Sequence, residues 1–139
     1  MPFVDTVEQL LLDHFFTDNA YTPPTTMHVG LSTTTPNDAG GNVTESTYTG
    51  YARQPIGAAQ MGAAAGTAPA AKSNSAAITF PISTGGSSTV THMTIHSAST
   101  AGTVLAWAAL ATSKTINSGD TASFAIGALV FQLGKGTPG

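Results

Sequence analysis

Residues 91–110 read THMTIHSASTAGTVLAWAAL, and this stretch decides the fold class of the chain. Polar and apolar side chains alternate over residues 89–97, which is the two-residue period of a half-buried β-strand. After a turn rich in Ser and Gly, residues 103–110 supply an apolar partner strand. The stretch therefore predicts a β-hairpin that turns at residues 99–102. The residues predicted to face its core are Met93, Ile95 and Trp107.

The same stretch contains His92 and His96 in the spacing H-x-x-x-H. On a helix this spacing could hold zinc, because residues four apart share a face. On a strand that rises about 3.3 Å per residue the two imidazoles share a face but lie roughly 13 Å apart, too far for one metal. We expect no metal site, with both imidazoles on a polar strand face or in an inter-subunit contact. His28 could join them only through the tertiary fold.

An amphipathic helix is predicted at the start of the chain. Apolar residues recur at helical spacing from Val4 to Phe16, and Pro23 and Pro24 end any helix that precedes them. The apolar arc is wide, so the helix is expected to pack on a sheet or against a neighbouring subunit.

Short strands separated by Gly- and Ser-rich turns follow the helix, a cadence typical of an antiparallel β-sandwich or a jelly-roll-like barrel. The fold class is therefore predicted to be mainly β with one N-terminal α-helix and long loops. A length of 139 residues suits a single domain. Its expected parts are a helix and lead-in (1–20), a β domain (21–133) with a loop (34–50) and an Ala/Gly-rich arm (57–75), and a flexible tail (134–139).

Charged residues make up only 8% of the chain, and its net charge is −3. A nearly neutral surface suits a protein that packs against copies of itself or partners. The four basic residues are scattered, whereas binding to nucleic acid needs clustered Lys and Arg. The N-terminus lacks the basic region of a signal peptide, and no apolar run is long enough to span a bilayer. We expect neither direct nucleic-acid binding nor membrane insertion.

Catalytic patterns are missing from the sequence. The chain has no Cys and no G-x-S-x-G motif, and its acidic residues thin out after Glu45. Ser, His and Asp are present, but their abundance makes a triad match uninformative. We expect no enzyme and no cofactor, with a small hydrolase as the weakest alternative.

Two parts of the chain are candidate contact surfaces, namely the apolar helix and the long loop with its neighbouring tyrosines. Long loops in compact domains often reach partners, and aromatic side chains beside mobile polar segments often serve interfaces. The candidate contact residues are Leu11, Phe15, Phe16, Thr34, Pro36, Val43, Tyr48 and Tyr51.

An ordered series of motifs resembles a family of small tailed-bacteriophage virion proteins, over about residues 10–133. Members are commonly labelled tail fibre proteins, and some similar proteins look like capsid decoration, or cement, proteins. The motifs are LLLDHFF, AYTPPTTMHVGLSTTTP, GNVTE, GYARQPI, AAITFPIST and VTHMTIHSASTAGTVLAWAALATSKTINSGDTASFAIGAL.

The resemblance implies a virion component that is made in the cytoplasm of the bacterial host and is not an enzyme. Fibres usually grow long through repeats or coiled coils, and the chain has neither. We therefore expect a cement protein on the head surface, where dimers or trimers bridge subunits of the major capsid protein. The alternative is a tail fibre or tail-tip module.

Overall fold

The computed structural model describes residues 2–66 and 69–133, and its strands pair antiparallel. This confirms the predicted mainly β fold class with one N-terminal helix. The predicted tail 134–139 lies outside the described residues. In chain order the elements are α1 (Asp5–Phe16), β1 (Met27–Ser32), β2 (Gln54–Ile56), β3 (Ala70–Ser73), β4 (Ile78–Thr79), β5 (Ser88–His96), β6 (Val104–Ile116), β7 (Ser123–Phe124) and β8 (Val130–Leu133).

The central sheet has four strands in the order β2-β1-β5-β6. The predicted hairpin is confirmed as the pair β5 and β6, although β6 continues beyond residue 110 to Ile116. Because residues opposite each other in a ladder point to the same face, the register defines the two faces of the sheet. Val29 pairs with Ile95 and Leu31 with Met93 on the apolar face.

The opposite face of this sheet is polar, and the histidines lie on it. His28 pairs with His96, and Ser32 pairs with His92. Trp107 pairs with Thr94, so it lies on this face and not with Met93 and Ile95 as predicted. The register of β5 and β6 places Ala106 and Ala108 opposite Ile95 and Met93 instead.

Two small sheets complete the β structure, one formed by β3 and β8 and the other by β4 and β7. The arrangement is consistent with the predicted sandwich, and no closed barrel forms among the described residues. The apolar residues of the segment 121–133 are divided between β7 and β8. Gly127 at φ +76° lies in the turn between them, a conformation that favours glycine.

The core lies between the apolar face of the central sheet, α1 and the small sheets. Helix α1 contributes Val7, next to the buried Val4 at its start, whereas Leu12, Phe15 and Phe16 remain exposed. Among the described residues no helix is long and apolar enough to cross a membrane. The largest fully buried apolar side chains are Phe80, Leu31, Ile56, Ile95, Val4, Val29 and Val90.

Buried Asn74 joins two distant parts of the chain at the edge of this core. Its amide nitrogen donates to the carbonyl oxygens of Ala76 and Ala125, at 2.8 and 2.9 Å. Its side-chain oxygen accepts from the backbone N–H of Leu129 at 2.9 Å. A buried amide needs such partners, so this side chain holds the turn between β7 and β8 against the end of β3.

Candidate interaction surface and buried polar cluster

The outer part of α1 exposes large apolar side chains. Phe15 and Phe16 are 75% and 82% exposed, and Leu12 is 58% exposed. Leu11, one turn before Phe15, is half-buried at the edge of the core. Isolated exposed apolar residues are common on proteins, but a group of this size marks an interaction site.

Leu133 of β8 is 62% exposed and extends this surface beyond the helix. Between α1 and β8 lies a cleft of about 590 Å³ that is lined by Phe3, Leu11, Phe15 and Leu133 among others. Leu12, Phe15, Phe16 and Leu133 together expose on the order of 500 Å². We call these four residues the aromatic surface.

The loop residues proposed as contacts are less accessible than the helix residues. Thr34 is half-buried, and its hydroxyl donates to the carbonyl of Asn42 at 2.7 Å and accepts from the N–H of Thr44 at 2.9 Å. Val43 is partly exposed, and Pro36 is buried. The loop therefore closes on itself through its own polar groups, despite having no helix or strand.

Tyr48, another of the candidate contact residues, is buried within the chain. It is only 2% exposed, and its hydroxyl donates to the carbonyl oxygen of Pro81 at 3.1 Å. Its ring meets Tyr51 edge-on, and Tyr51 stacks on Phe80 with ring centroids 6.2 Å apart. Aromatic packing places both tyrosines in the wall of the core, which a composition-based reading of a polar loop does not reveal.

Glu45 and Arg53 form an ion pair near the polar face of the central sheet. The guanidinium donates to both carboxylate oxygens, from Nε to Oε1 at 2.8 Å and from Nη2 to Oε2 at 2.7 Å. Its Nη1 donates to the carbonyl oxygens of Ala98 and Ala101, at 2.9 and 2.7 Å. Arg53 thus ties the loop to the turn between β5 and β6, and its side chain is only 9% exposed.

Tyr51 connects this ion pair to the sheet. Its hydroxyl donates to Glu45 Oε1 at 2.8 Å and accepts from the backbone N–H of Leu31 at 2.9 Å. Burial raises the pKa of Tyr51, and the nearby carboxylate of Glu45 raises it further. Burial alone would raise the pKa of Glu45, but the hydrogen bonds from Arg53 and Tyr51 and the charge of Arg53 lower it overall.

His96 lies in the same polar cluster, beside His28 on the neighbouring strand. Its Nε2 is 2.8 Å from Thr94 Oγ1, while the Nδ1 atoms of His96 and His28 have no hydrogen-bond partner among the described residues. Burial lowers the pKa of His96 to about 4, and the positive charge of Arg53 contributes to this shift. We call Glu45, Tyr51, Arg53, Thr94 and His96 the polar cluster.

The two histidines of the H-x-x-x-H stretch have different surroundings. His92 is half-buried, its Nδ1 lies 2.8 Å from Thr91 Oγ1, and its ring is 5.8 Å from that of Trp107. His96 is buried instead of lining an open polar face. Within the described residues, no three His, Asp or Glu side chains converge as metal ligands would.

The polar cluster makes most of its hydrogen bonds within the chain, and Glu45, Arg53 and His96 also line a cleft of about 650 Å³. Four N–H groups of Arg53 are used by internal acceptors, and the Glu45 carboxylate accepts from both Arg53 and Tyr51. Sequence reasoning missed this ion pair. The sequence contains one signal for this pair. No acidic residue lies between Glu45 and Asp120, so Arg53 has few carboxylates within reach.

Comparison with known proteins gives one match that covers nearly all of these features. A family model described as Podophage GP4 fiber I protein gp80 matches residues 2–132. This range includes the whole polar cluster and the three helix residues of the aromatic surface, but not Leu133. No curated protein matches the chain at a significant level.

Proposed function

Because the chain belongs to the Podophage GP4 fiber I protein gp80 family and is thus a bacteriophage virion structural protein, we propose that it is a component of the phage fibre. The family description favours this role over the capsid decoration role that the sequence suggested. A fibre component must keep its shape and bind a neighbour in the virion. The polar cluster suits the first requirement because it stabilises the fold, and the aromatic surface suits the second because it is exposed.

The observation that carries the proposal within this chain is the aromatic surface. Phe15 and Phe16 are exposed on an otherwise well-packed chain, and the cleft beside them is open to a partner side chain. Contacts of this kind usually supply most of the energy of a protein interface, because aromatic side chains bury a large area at small entropic cost. We propose that the chain joins the fibre through α1 and β8.

The first test is the position and copy number of the protein in purified virions. Antibody labelling in the electron microscope should place the protein on fibres, and quantitative mass spectrometry should find few copies per particle. A copy number close to that of the major capsid protein, with label over the head, would support capsid decoration and refute the fibre proposal.

The second test asks whether the aromatic surface carries assembly. Phage lacking the gene are complemented with the double variant Phe15→Ser/Phe16→Ser or with Ile126→Ser as a matched control, since Ile126 is 68% exposed and lies outside the surface. The double variant should remain folded but be absent from particles, whereas the control should be incorporated. Normal incorporation of the double variant would show that another surface makes the contact.

A further inference from the structure

The outer face of α1 combines apolar and acidic side chains in one stripe. At 100° per residue, Asp5, Glu8, Leu12 and Phe16 fall on one side of the helix, and all four are exposed. Asp13 lies at the edge of this stripe and is also exposed. An ordinary solvated helix face carries mainly polar residues, so the two large apolar side chains need another explanation.

Helix α1 has three carboxylates and contains neither Lys nor Arg. Glu8 also lies at the rim of the cleft that Phe15 and Leu133 line. Lys72 lines a second groove, which shares Leu11 and Phe15 with this cleft. The Asp, Glu, Lys and Arg residues that α1 itself contributes are all acidic.

This charge pattern distinguishes between two kinds of occupant. A second copy docked by the same face would bring the carboxylates of both helices to the contact without a Lys or Arg of α1 to pair with them, and like charges at a partly desolvated contact are unfavourable. A segment with Leu or Phe anchors and flanking Lys or Arg would fill the cleft and pair with these carboxylates. Helix-in-groove contacts of this kind are formed by amphipathic segments with anchors three or four residues apart.

We propose that the aromatic surface binds a basic amphipathic helical segment of another virion protein. The proposal rests on the fibre role and deepens it by specifying the chemistry of the partner. Apolar anchors from the partner contact Phe15, Phe16 and Leu133, and its Lys or Arg side chains meet Glu8 and Asp13. The apolar contacts provide most of the affinity, and the charges determine which partner is accepted.

The test measures binding of two synthetic peptides to the full chain. Both are amphipathic helices of roughly 18 residues with identical Leu positions, one carrying Lys and the other Glu on the polar face. The Lys peptide should bind at least about tenfold more tightly than the Glu peptide, and raising the ionic strength from about 0.05 to about 0.5 M should reduce this preference. Fluorescence anisotropy of labelled peptides gives both affinities.

Three variants assign the binding to this surface. Phe16→Ser should weaken binding of the Lys peptide about tenfold or more, because it removes an aromatic anchor. Glu8→Gln/Asp13→Asn should abolish most of the preference for the Lys peptide, and Ile126→Ser should change neither affinity. Circular dichroism checks that each variant is folded.

Three results would overturn the proposal. The first is equal binding of the two peptides, and the second is equal binding of the Lys peptide to wild type and Phe16→Ser. The third is a dimer in light scattering that Phe16→Ser dissociates, which would make a second copy the occupant. The fibre role fails separately, through the position of the protein in the virion, so the two failures are distinguishable.

Discussion

The polar cluster and the aromatic surface both depart from the rule that polar groups lie outside and apolar groups inside, but in opposite directions. The polar cluster buries His96 and most of Arg53 and partly buries Glu45, and most of its polar atoms have partners. The aromatic surface exposes Phe15 and Phe16 to solvent. Most polar groups of the polar cluster therefore have their partners within the chain, whereas the side chains of the aromatic surface remain available to a partner.

This difference separates residues that stabilise the fold from residues that are available to a partner. Removing one member of a buried, paired group leaves the other unsatisfied, so the fold loses stability. Removing an exposed apolar side chain costs the isolated chain little and affects only what binds there. Four substitutions test this separation, in order of decreasing expected effect on stability.

Arg53→Met should have the largest effect, a loss of about 3 kcal/mol in the free energy of unfolding. It leaves the Glu45 carboxylate without its counter-ion and frees the carbonyls of Ala98 and Ala101. The melting temperature should fall by about 10 °C. Lys114→Met is the control, because Lys114 is exposed and its loss should leave the melting temperature nearly unchanged. Equal effects of both substitutions would show that the ion pair does not stabilise the fold.

His96 should make stability depend on pH. Its pKa is lowered to about 4 in the folded chain from an ordinary 6.5, so the unfolded chain takes up the proton first. The stabilisation is complete above the ordinary pKa and is lost as the pH falls towards about 4. The loss should reach about 2 kcal/mol near pH 5.

His96→Gln should flatten this dependence when the unfolding free energy is measured by urea denaturation across the pH range. His14→Gln is the control, since His14 is exposed on α1 and its replacement should leave the wild-type slope. If His96→Gln kept the wild-type slope, the acid sensitivity would come from other groups.

Gly30→Ala should lower the free energy of unfolding by about 1.5 kcal/mol, because the added methyl group would overlap neighbouring atoms. A Cβ atom at position 30 would lie 2.8 Å from Thr94 Oγ1, 3.0 Å from His96 Nε2 and 3.1 Å from the Tyr51 hydroxyl, all in the polar cluster. Gly57→Ala is the control, because its nearest neighbour would be the carbonyl of Thr25 at 3.6 Å. Thermal unfolding distinguishes the two, and equal melting temperatures would mean that the cluster relaxes without cost.

Phe16→Ser should have the smallest effect on the free energy of unfolding. The loss should stay below about 0.5 kcal/mol, because Phe16 is 82% exposed in the isolated chain. Urea denaturation of the variant and wild type gives the comparison. A loss of unfolding free energy as large as that of Arg53→Met would contradict the distinction between the two regions, because it would show that Phe16 stabilises the fold.

Hydrophobic periodicity predicted the elements that have one solvent-exposed face and one buried face. The alternation in residues 89–97 predicted β5, and the helical spacing up to Phe16 predicted α1, because burial of one face imposes a period on the sequence. The same reasoning could not detect the division of residues 121–133 into β7 and β8. That division depends on the backbone of Gly127 and on Asn74, which lies about 50 residues away.

The site was predictable only in part. The wide apolar arc of the helix predicted packing on a sheet or against a neighbouring subunit, and Phe15 and Phe16 are exposed in the chain, so their contact with a partner stays a prediction. The polar cluster was not predictable, because Glu45 and Arg53 meet through the path of a loop without periodicity. The burial of Tyr48 was missed for the same reason.

Asn74 also places a condition on synthesis of the protein. Its amide finds two of its partners at Ala125 and Leu129, so this corner of the core stays open until the ribosome has made most of the chain. Contacts between such distant residues also slow folding. A nascent chain that stops before residue 125 would lack two of the three partners of the Asn74 side chain, and we expect it to be degraded. Only nearly complete polypeptides would then reach the assembling particle.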